Sequence, residues 1–165
     1  MGKLLALTVA LGGLLVVPAH TRFVSAAADP LRGVWRVVDQ AGRPGAGVYI
    51  FTSRHYSMMV ASPDRPDITD TTQATADELR ALWNPMAANA GEYEVAGNLV
   101  TIRPIVAKIP VVMKPGAYEV YAFSVEDNTL SLTQQRNVRG PVEGRAATKL
   151  VRREQYRSGF EQVFA

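Results

Sequence analysis

The residues best suited to chemistry stand on two successive predicted strands in the C-terminal half of the chain. Glu119 and Tyr121 are two residues apart on one strand, and Gln134 and Arg136 are two residues apart on the next. Because alternate residues of a strand share a face, these four side chains should meet toward one end of a common interior. A buried charge needs a partner, which can be another side chain, water or a ligand. The four residues are therefore candidate ligand-binding residues, and a solvent-exposed salt bridge at the rim is the alternative interpretation.

Aromatic and sulfur-containing side chains are predicted on the same interior face. Alternation directs Tyr56 and Met58 inward on one strand, Tyr93 and Val95 on another, and Phe123 on a third. Aromatic rings and thioethers adapt to the shape of an apolar molecule, and tyrosine hydroxyls fix its orientation. The same set would equally fill a solid core, so a hollow and a packed interior both remain open.

Other candidates for catalysis or metal binding have simpler structural interpretations. His55 falls in an apparent hairpin turn, where histidine tolerates the left-handed conformation. Asp64, Asp67 and Asp70 recur every third residue, but adjacent prolines and the missing central glycine depart from a calcium loop. Hydrolase, zinc-protease, nucleotide-binding and dinucleotide-binding motifs do not occur, and cysteine is absent. We therefore expect no metal, no cofactor and no assignable catalytic residue.

The first 28 residues are typical of an export signal. Lys3 supplies a positive start, Leu4–Val17 is apolar, and Ala26–Ala28 offers a cleavage site for a signal peptidase. The apolar run of about 14 residues is shorter than the roughly 20 that a membrane-spanning helix needs. We predict a signal peptide over 1–28 and export to the periplasm or the medium, with no stable membrane span after cleavage.

Composition favours one soluble domain over 29–165 and gives little support to nucleic-acid binding. The 165 residues carry 18 Lys and Arg against 15 Asp and Glu, a formal charge of +3. Removal of Lys3 and Arg22 with the signal would leave 16 basic side chains against 15 acidic ones. A charge so near zero does not build the basic surface that nucleic acids require.

Eight short runs alternate apolar and polar residues and are bounded by Gly, Pro, Asn and Asp, which is the pattern of half-buried antiparallel strands. Eight such strands close naturally into an up-and-down β-barrel, because closure pairs the backbone groups that an open edge would expose. The fold class predicted is all-β, and the strands are expected at 32–40, 46–52, 55–61, 92–96, 98–103, 116–125, 129–136 and 145–153.

One segment, about 75–90, has helical periodicity. Thr75 and Glu78 have the spacing of a capping box at its start, and Gly91 is placed to end it. Pro85 should kink or restart the helix, since it lacks a backbone donor. The helix is expected to cap one barrel opening and to pack on the sheet through a single apolar stripe, Leu79, Leu82, Trp83 and Met86.

The first and last predicted strands carry a recognisable pair of motifs. Gly33-Val34-Trp35 opens the first strand, and Arg152 and Arg153 end the last one. This arrangement resembles that of lipocalins, and the resemblance implies that Trp35 closes the barrel floor while an arginine packs across its indole. Arg152 is favoured over Arg153 because it shares a strand face with Leu150.

Several further motifs resemble those of the bacterial lipocalin-like domain family, and together they extend the resemblance over about 31–154. That resemblance implies an eight-stranded barrel that binds a small apolar or amphipathic molecule. The motifs are Tyr49-Ile50-Phe51-Thr52, His55-Tyr56-Ser57-Met58-Met59, Asn89-Ala90-Gly91-Glu92-Tyr93-Glu94-Val95, Arg103-Pro104-Ile105-Val106-Ala107-Lys108 and Asn128-Thr129-Leu130-Ser131-Leu132.

The leading expectation is an exported, monomeric, non-enzymatic protein that binds a small hydrophobic molecule inside its barrel. Two alternatives remain open at this stage. One is an isomerase or cyclase on the same barrel, with Glu119, Tyr121 or Arg136 as acid, base or anion stabiliser. The other is a solid-cored envelope interaction protein with an apolar patch near the tail segment 160–164.

Overall fold

The computed structural model describes residues 29–154, and these form one antiparallel sheet that closes on itself. The predicted signal segment and the tail lie outside the described residues. Strand β7 pairs with both β6 and β9, which completes a ring of eight strands and confirms the predicted barrel. The strands are β1 (Gly33–Val38), β2 (Pro44–Phe51), β3 (His55–Ala61), β4 (Met86–Ala96), β5 (Leu99–Ala107), β6 (Glu119–Glu126), β7 (Thr129–Asn137), the two-residue β8 (Gly140–Pro141) outside the ring, and β9 (Thr148–Glu154).

Alternation along the strands produces the core. One face of each strand turns inward, and the inward residues pack into a single apolar cluster centred on Trp35, Leu130 and Leu150, all fully buried. The opposite faces remain in contact with solvent, as expected for antiparallel strands. Within residues 29–154, no helix is both long enough and apolar enough to cross a lipid bilayer.

The two ends of the barrel differ in their connections. At one end, here called the closed end, tight turns join β2 to β3, β4 to β5, and β6 to β7. Asp127 adopts a φ of 50° in the last of these turns, the left-handed conformation that tight hairpin turns favour. At the other end, here called the open end, longer connections carry helix α1 (Ala76–Trp83) and a 3₁₀ turn (Pro110–Met113).

Helix α1 begins as predicted but ends earlier. Thr75 and Glu78 form the capping box, with the Thr75 hydroxyl accepting from the Glu78 amide at 3.3 Å. The helix stops at Trp83 and β4 starts at Met86, so the predicted extension to residue 90 is wrong. Pro85 cannot continue the ladder of helical hydrogen bonds, and the chain turns into a strand instead of restarting a helix.

Gly91 therefore lies inside β4 and does not terminate a helix. A Cβ atom at Gly91 would come within 2.1 Å of the Arg103 carbonyl oxygen on β5, so this position needs glycine for the close approach of two strands. Packing of the helix also differs from the prediction. No residue of α1 is buried, and Leu79 and Trp83 are exposed.

Candidate functional site

The closed end is sealed by Trp35 and Arg152. The indole is fully buried and donates from Nε1 to the Leu31 carbonyl at 2.6 Å. The Arg152 guanidinium lies 4.0 Å from the ring centroid and donates to the carbonyls of Arg32 at 2.7 Å and Pro30 at 2.9 Å. Trp35 and Arg152 are direct cross-strand partners on β1 and β9, so the register itself brings them together.

Tyr93 also belongs to the closed end. Its hydroxyl donates to the Thr52 carbonyl at 2.6 Å and contacts the Asp29 carboxylate, and its ring meets Phe51 edge-on at 5.2 Å. Burial raises the pKa of Tyr93, and the hydrogen bond to Asp29 raises it further. Tyr93 is therefore placed to fix the N-terminal segment across the floor, and it is not brought to Glu119.

The half of the interior nearer the closed end, here called the lower half, is packed. A void of only about 10 Å³ remains there, room for one water molecule at most. Side chains that share this face fill the space, and they are Tyr49, Phe51, Tyr56, Met58, Val100, Ile102, Tyr121 and Leu132.

A larger cavity lies above them, at the open end. Its volume is about 270 Å³, near the lower limit for small-molecule pockets. Strands β3 to β7, the 3₁₀ turn and the loop before β9 all contribute to its wall. The lining residues are Met58, Met86, Ala87, Ala88, Asn89, Ala107, Ile109, Val112, Glu119, Tyr121, Gln134 and Arg145.

Three of the residues singled out from the sequence meet in the wall of this cavity. Tyr121 donates from its hydroxyl to Glu119 Oε2 at 3.0 Å. Gln134 Nε2 donates to the Tyr121 hydroxyl oxygen at 3.2 Å and, at a longer 3.4 Å, to Glu119 Oε1. The Glu119 side chain is buried, although carboxylates are rarely buried without a paired cation. This trio is here called the polar cluster.

Electrostatics in the cavity are set by the Glu119 carboxylate. Burial raises the pKa of Glu119, whereas the Tyr121 hydrogen bond and the positive charge of the exposed Arg145 oppose that shift. Burial and the Glu119 charge together raise the pKa of Tyr49 to about 12. The same two causes raise the pKa of Tyr56 and Tyr121, so the phenols remain protonated donors.

Two further polar atoms, one in the packed part of the interior and one in the cavity wall, are buried without a hydrogen-bond partner in the described part of the chain. They are the Tyr56 hydroxyl oxygen and Asn89 Oδ1. An unpaired buried polar atom costs roughly 1–3 kcal/mol, so each needs a physical explanation. For the atom in the cavity wall, Asn89 Oδ1, a bound molecule that donates a hydrogen bond would supply one.

Comparison with known proteins agrees with this geometry. Residues 32–151 match the family described as the lipocalin-like domain. This chain belongs to that family. No curated protein matches the sequence.

Arg136 and Phe123, two other candidate ligand-binding residues from the sequence, lie away from the polar cluster. A β-bulge between Val120 and Tyr121 shifts the register of β6 against β7, so Arg136 pairs with outward-facing Val120. The Arg136 guanidinium stacks 4.9 Å from the ring of Tyr118, the residue that precedes β6. Phe123 packs against the apolar cluster and lines neither interior space.

His55 and Val95 do not line the cavity. His55 is exposed at the start of β3, with Nε2 4.0 Å from Glu92 Oε1. Val95 was expected to face inward, but it is exposed near the turn that ends β4 at the closed end. Among the described residues, no group of three or more His, Asp or Glu side chains is placed to hold a metal ion.

Three residues that line the two interior spaces were not singled out from the sequence. Asn89 lies in the stretch predicted as helix, so no alternation pointed to it. Arg145 lies in the loop before β9, and it lines the cavity because of the path that this loop takes in the folded chain. Tyr49 could have been found, because it stands two residues before Phe51 on β2 and shares its inward face.

Proposed function

We propose that this lipocalin-like protein binds a small amphipathic molecule in the cavity at the open end of its barrel. The observation that supports this proposal is the polar cluster, held on the wall of a space of about 270 Å³ above a packed apolar interior. The apolar part of the molecule would contact Met58, Ile109 and Val112, and its polar end would reach Glu119. Export through the predicted signal over 1–28 is part of the same proposal.

The polar end of the bound molecule is a hydrogen-bond donor, and a protonated amine fits best. Glu119 offers acceptor oxygens, Asn89 Oδ1 is an unpaired acceptor, and both residues line the cavity. A carboxylate ligand would place a second negative charge beside Glu119, whose charged form is already disfavoured by burial. The exposed Arg145 offsets that repulsion only in part, because solvent screens it.

Three probes that share an eight-carbon chain and differ in their polar group test this proposal. Binding of octylamine, 1-octanol and octanoate to the purified chain is measured by isothermal titration calorimetry. We expect octylamine to bind most tightly and octanoate most weakly. Glu119→Gln should weaken octylamine by about tenfold, the loss expected for one charge-assisted hydrogen bond, while 1-octanol binding changes little.

Arg136→Gln is the matched control, because Arg136 was a candidate from the sequence but lies outside the cavity. It should leave the affinity for all three probes unchanged. Absence of binding by every probe would refute the binding function. Tightest binding of octanoate, or equal losses in the two variants, would refute the role of Glu119.

A second candidate function is acid–base catalysis of the isomerase or cyclase type. The contact of 3.0 Å between Tyr121 and Glu119 favours it, since a carboxyl with a raised pKa next to a phenol can accept and return a proton. The test compares a bacterial lipid extract before and after incubation with wild type or Glu119→Gln, by liquid chromatography and mass spectrometry. A product formed by wild type alone would support catalysis, and no change in the extract would refute it.

The alternative of a solid-cored interaction protein has less support. Its packed interior matches the lower half of the barrel but not the cavity at the open end. Its apolar tail patch lies outside the described residues. The proposal of a monomer is tested together with the surface described next.

A further inference from the structure

A group of exposed apolar side chains surrounds one side of the open end. It joins the last residue of α1, the end of β5 and the connection from β5 to β6. This group is here called the seam rim, and it consists of Trp83, Ile105, Val106, Ile109, Val111 and Met113. Exposed apolar side chains that occur singly need no explanation, but a contiguous group marks an interaction surface.

The rim borders a seam in the barrel wall. Strand β5 pairs with β6 only from Leu99 to Ile102, because β6 starts at Glu119. The remaining part of β5, 103–107, extends past the start of β6, and the 3₁₀ turn lies beside it with Met113 Sδ accepting from the Ala107 amide at 3.1 Å. A β-bulge opposite Ala90 turns Ile105 outward, where it is 65% exposed.

The seam rim and the ligand cavity are continuous. Ile109 belongs to the rim and also lines the cavity, and Val112 of the same turn lines it too. An apolar molecule that leaves the cavity between β5 and β6 would therefore pass over apolar side chains rather than through water. Such a path could transfer the molecule only if the rim contacts an apolar medium, such as the acyl region of a lipid bilayer.

The charged residues near the rim indicate which kind of surface it would contact. Between residues 104 and 118 the chain carries Lys108 and Lys114 and no carboxylate. The Lys108 ammonium lies 5.0 Å from the Trp83 ring centroid and donates to the carbonyls of Trp83 and, at 3.3 Å, Asn84, so it also fixes the helix end. Aliphatic side chains bordered by tryptophan and lysine match the interface of an anionic bilayer, where the aliphatic groups enter the acyl region and the cations meet phosphate.

The carboxylates of helix α1 do not oppose this contact. Asp77 and Glu78 stand in its first turn, away from Trp83. The Asp77 carboxylate is paired with Arg80 at 2.6 Å, and Glu78 is engaged in the capping box.

We propose that the seam rim docks this protein on an anionic lipid bilayer, with the β5–β6 seam facing the membrane. Val111 and Ile105 enter the lipid, and Lys114 contacts lipid phosphate. This inference goes beyond ligand binding in the cavity, and the vesicle assay that tests it contains none of the octyl probes. Failure of one proposal is therefore distinguishable from failure of the other.

Co-sedimentation with phosphatidylcholine vesicles, prepared with and without phosphatidylglycerol, tests the docking. We expect the wild-type chain to bind the anionic vesicles and to remain in solution with the neutral ones. The double substitution Ile105→Asp with Val111→Asp should weaken binding by at least about tenfold, since both side chains lose their apolar burial. Lys114→Glu should reduce the preference for the anionic vesicles.

The matched control is Val95→Asp with Leu99→Asp, two exposed apolar residues at the closed end. It should bind vesicles as the wild type does, and circular dichroism should show that all variants are folded. Equal binding to neutral and anionic vesicles, no binding to either, or an equal loss in the control would overturn the proposal. A dimer seen by light scattering that the Ile105 and Val111 double variant dissociates would assign the rim to a second copy and would also overturn it.

Discussion

Replacing Arg152 with methionine should lower the free energy of unfolding by about 2–3 kcal/mol. The guanidinium donates to the carbonyls of Arg32 and Pro30, and each hydrogen bond contributes about 0.5–1.5 kcal/mol. Its position 4.0 Å from the Trp35 ring centroid adds about 0.5–1 kcal/mol at this partly exposed site. Methionine keeps an apolar stem over the indole, so the loss of unfolding free energy reports the contribution of the guanidinium alone. The corresponding fall in melting temperature is about 10 °C for a domain of this size.

Urea titration followed by circular dichroism measures the change, and tryptophan fluorescence reports the environment of the indoles. Arg153→Met is the control, because Arg153 is the exposed neighbour on the opposite face of β9. It should change the unfolding free energy by less than about 0.5 kcal/mol. If the two variants lose equal stability, or if Arg152→Met loses none, Arg152 does not seal the closed end.

Two other outcomes are expected. Gly33→Ala should severely destabilise the barrel, because Gly33 has a φ of 133° and a Cβ atom there would lie 2.2 Å from the Glu154 carbonyl oxygen. Gly116 also has a positive φ, 78°, but a Cβ atom there meets no atom within 4 Å, so Gly116→Ala should cost far less in thermal melts. Because burial raises the pKa of Glu119, the stability linked to its protonated form is complete below the unfolded-state pKa and is lost as the pH rises through the folded-state pKa. Glu119→Gln should therefore stabilise the chain at about pH 8 and have little effect at about pH 4 in urea titrations, and equal effects at both pH values would contradict this.

Most of the fold could be predicted from periodicity, because each barrel strand buries one face and exposes the other. That rule placed Glu119, Tyr121 and Gln134 on a common interior face, and they are hydrogen-bonded there. It worked for Tyr121 and Gln134 because they are direct partners in the regular part of the β6–β7 ladder, and for Glu119 because it shares the face of Tyr121 on β6.

The rule failed where the backbone departs from a regular ladder. Arg136 has the spacing to follow Gln134 inward, but the bulge at Val120 turns it to the outer surface, and no residue type marks that bulge. The first half of β4, Met86–Ala90, lacks both alternation and β-branched residues. Its strand conformation comes from pairing with β3 and β5, which local sequence does not encode.

The two ends of the barrel have opposite energetics. At the closed end, the polar groups of Trp35, Arg152 and Tyr93 find backbone partners, so burial there stabilises the fold. At the open end, Glu119 is buried with neutral hydrogen-bond partners, and Asn89 leaves a buried side-chain oxygen unpaired. A barrel that served only as a packed scaffold would be more stable with apolar side chains at those two positions. Under the proposed function, a molecule with a donor group that fills the cavity would recover the stability given up at the open end, which is why we propose that binding occurs there and that the floor has a structural role.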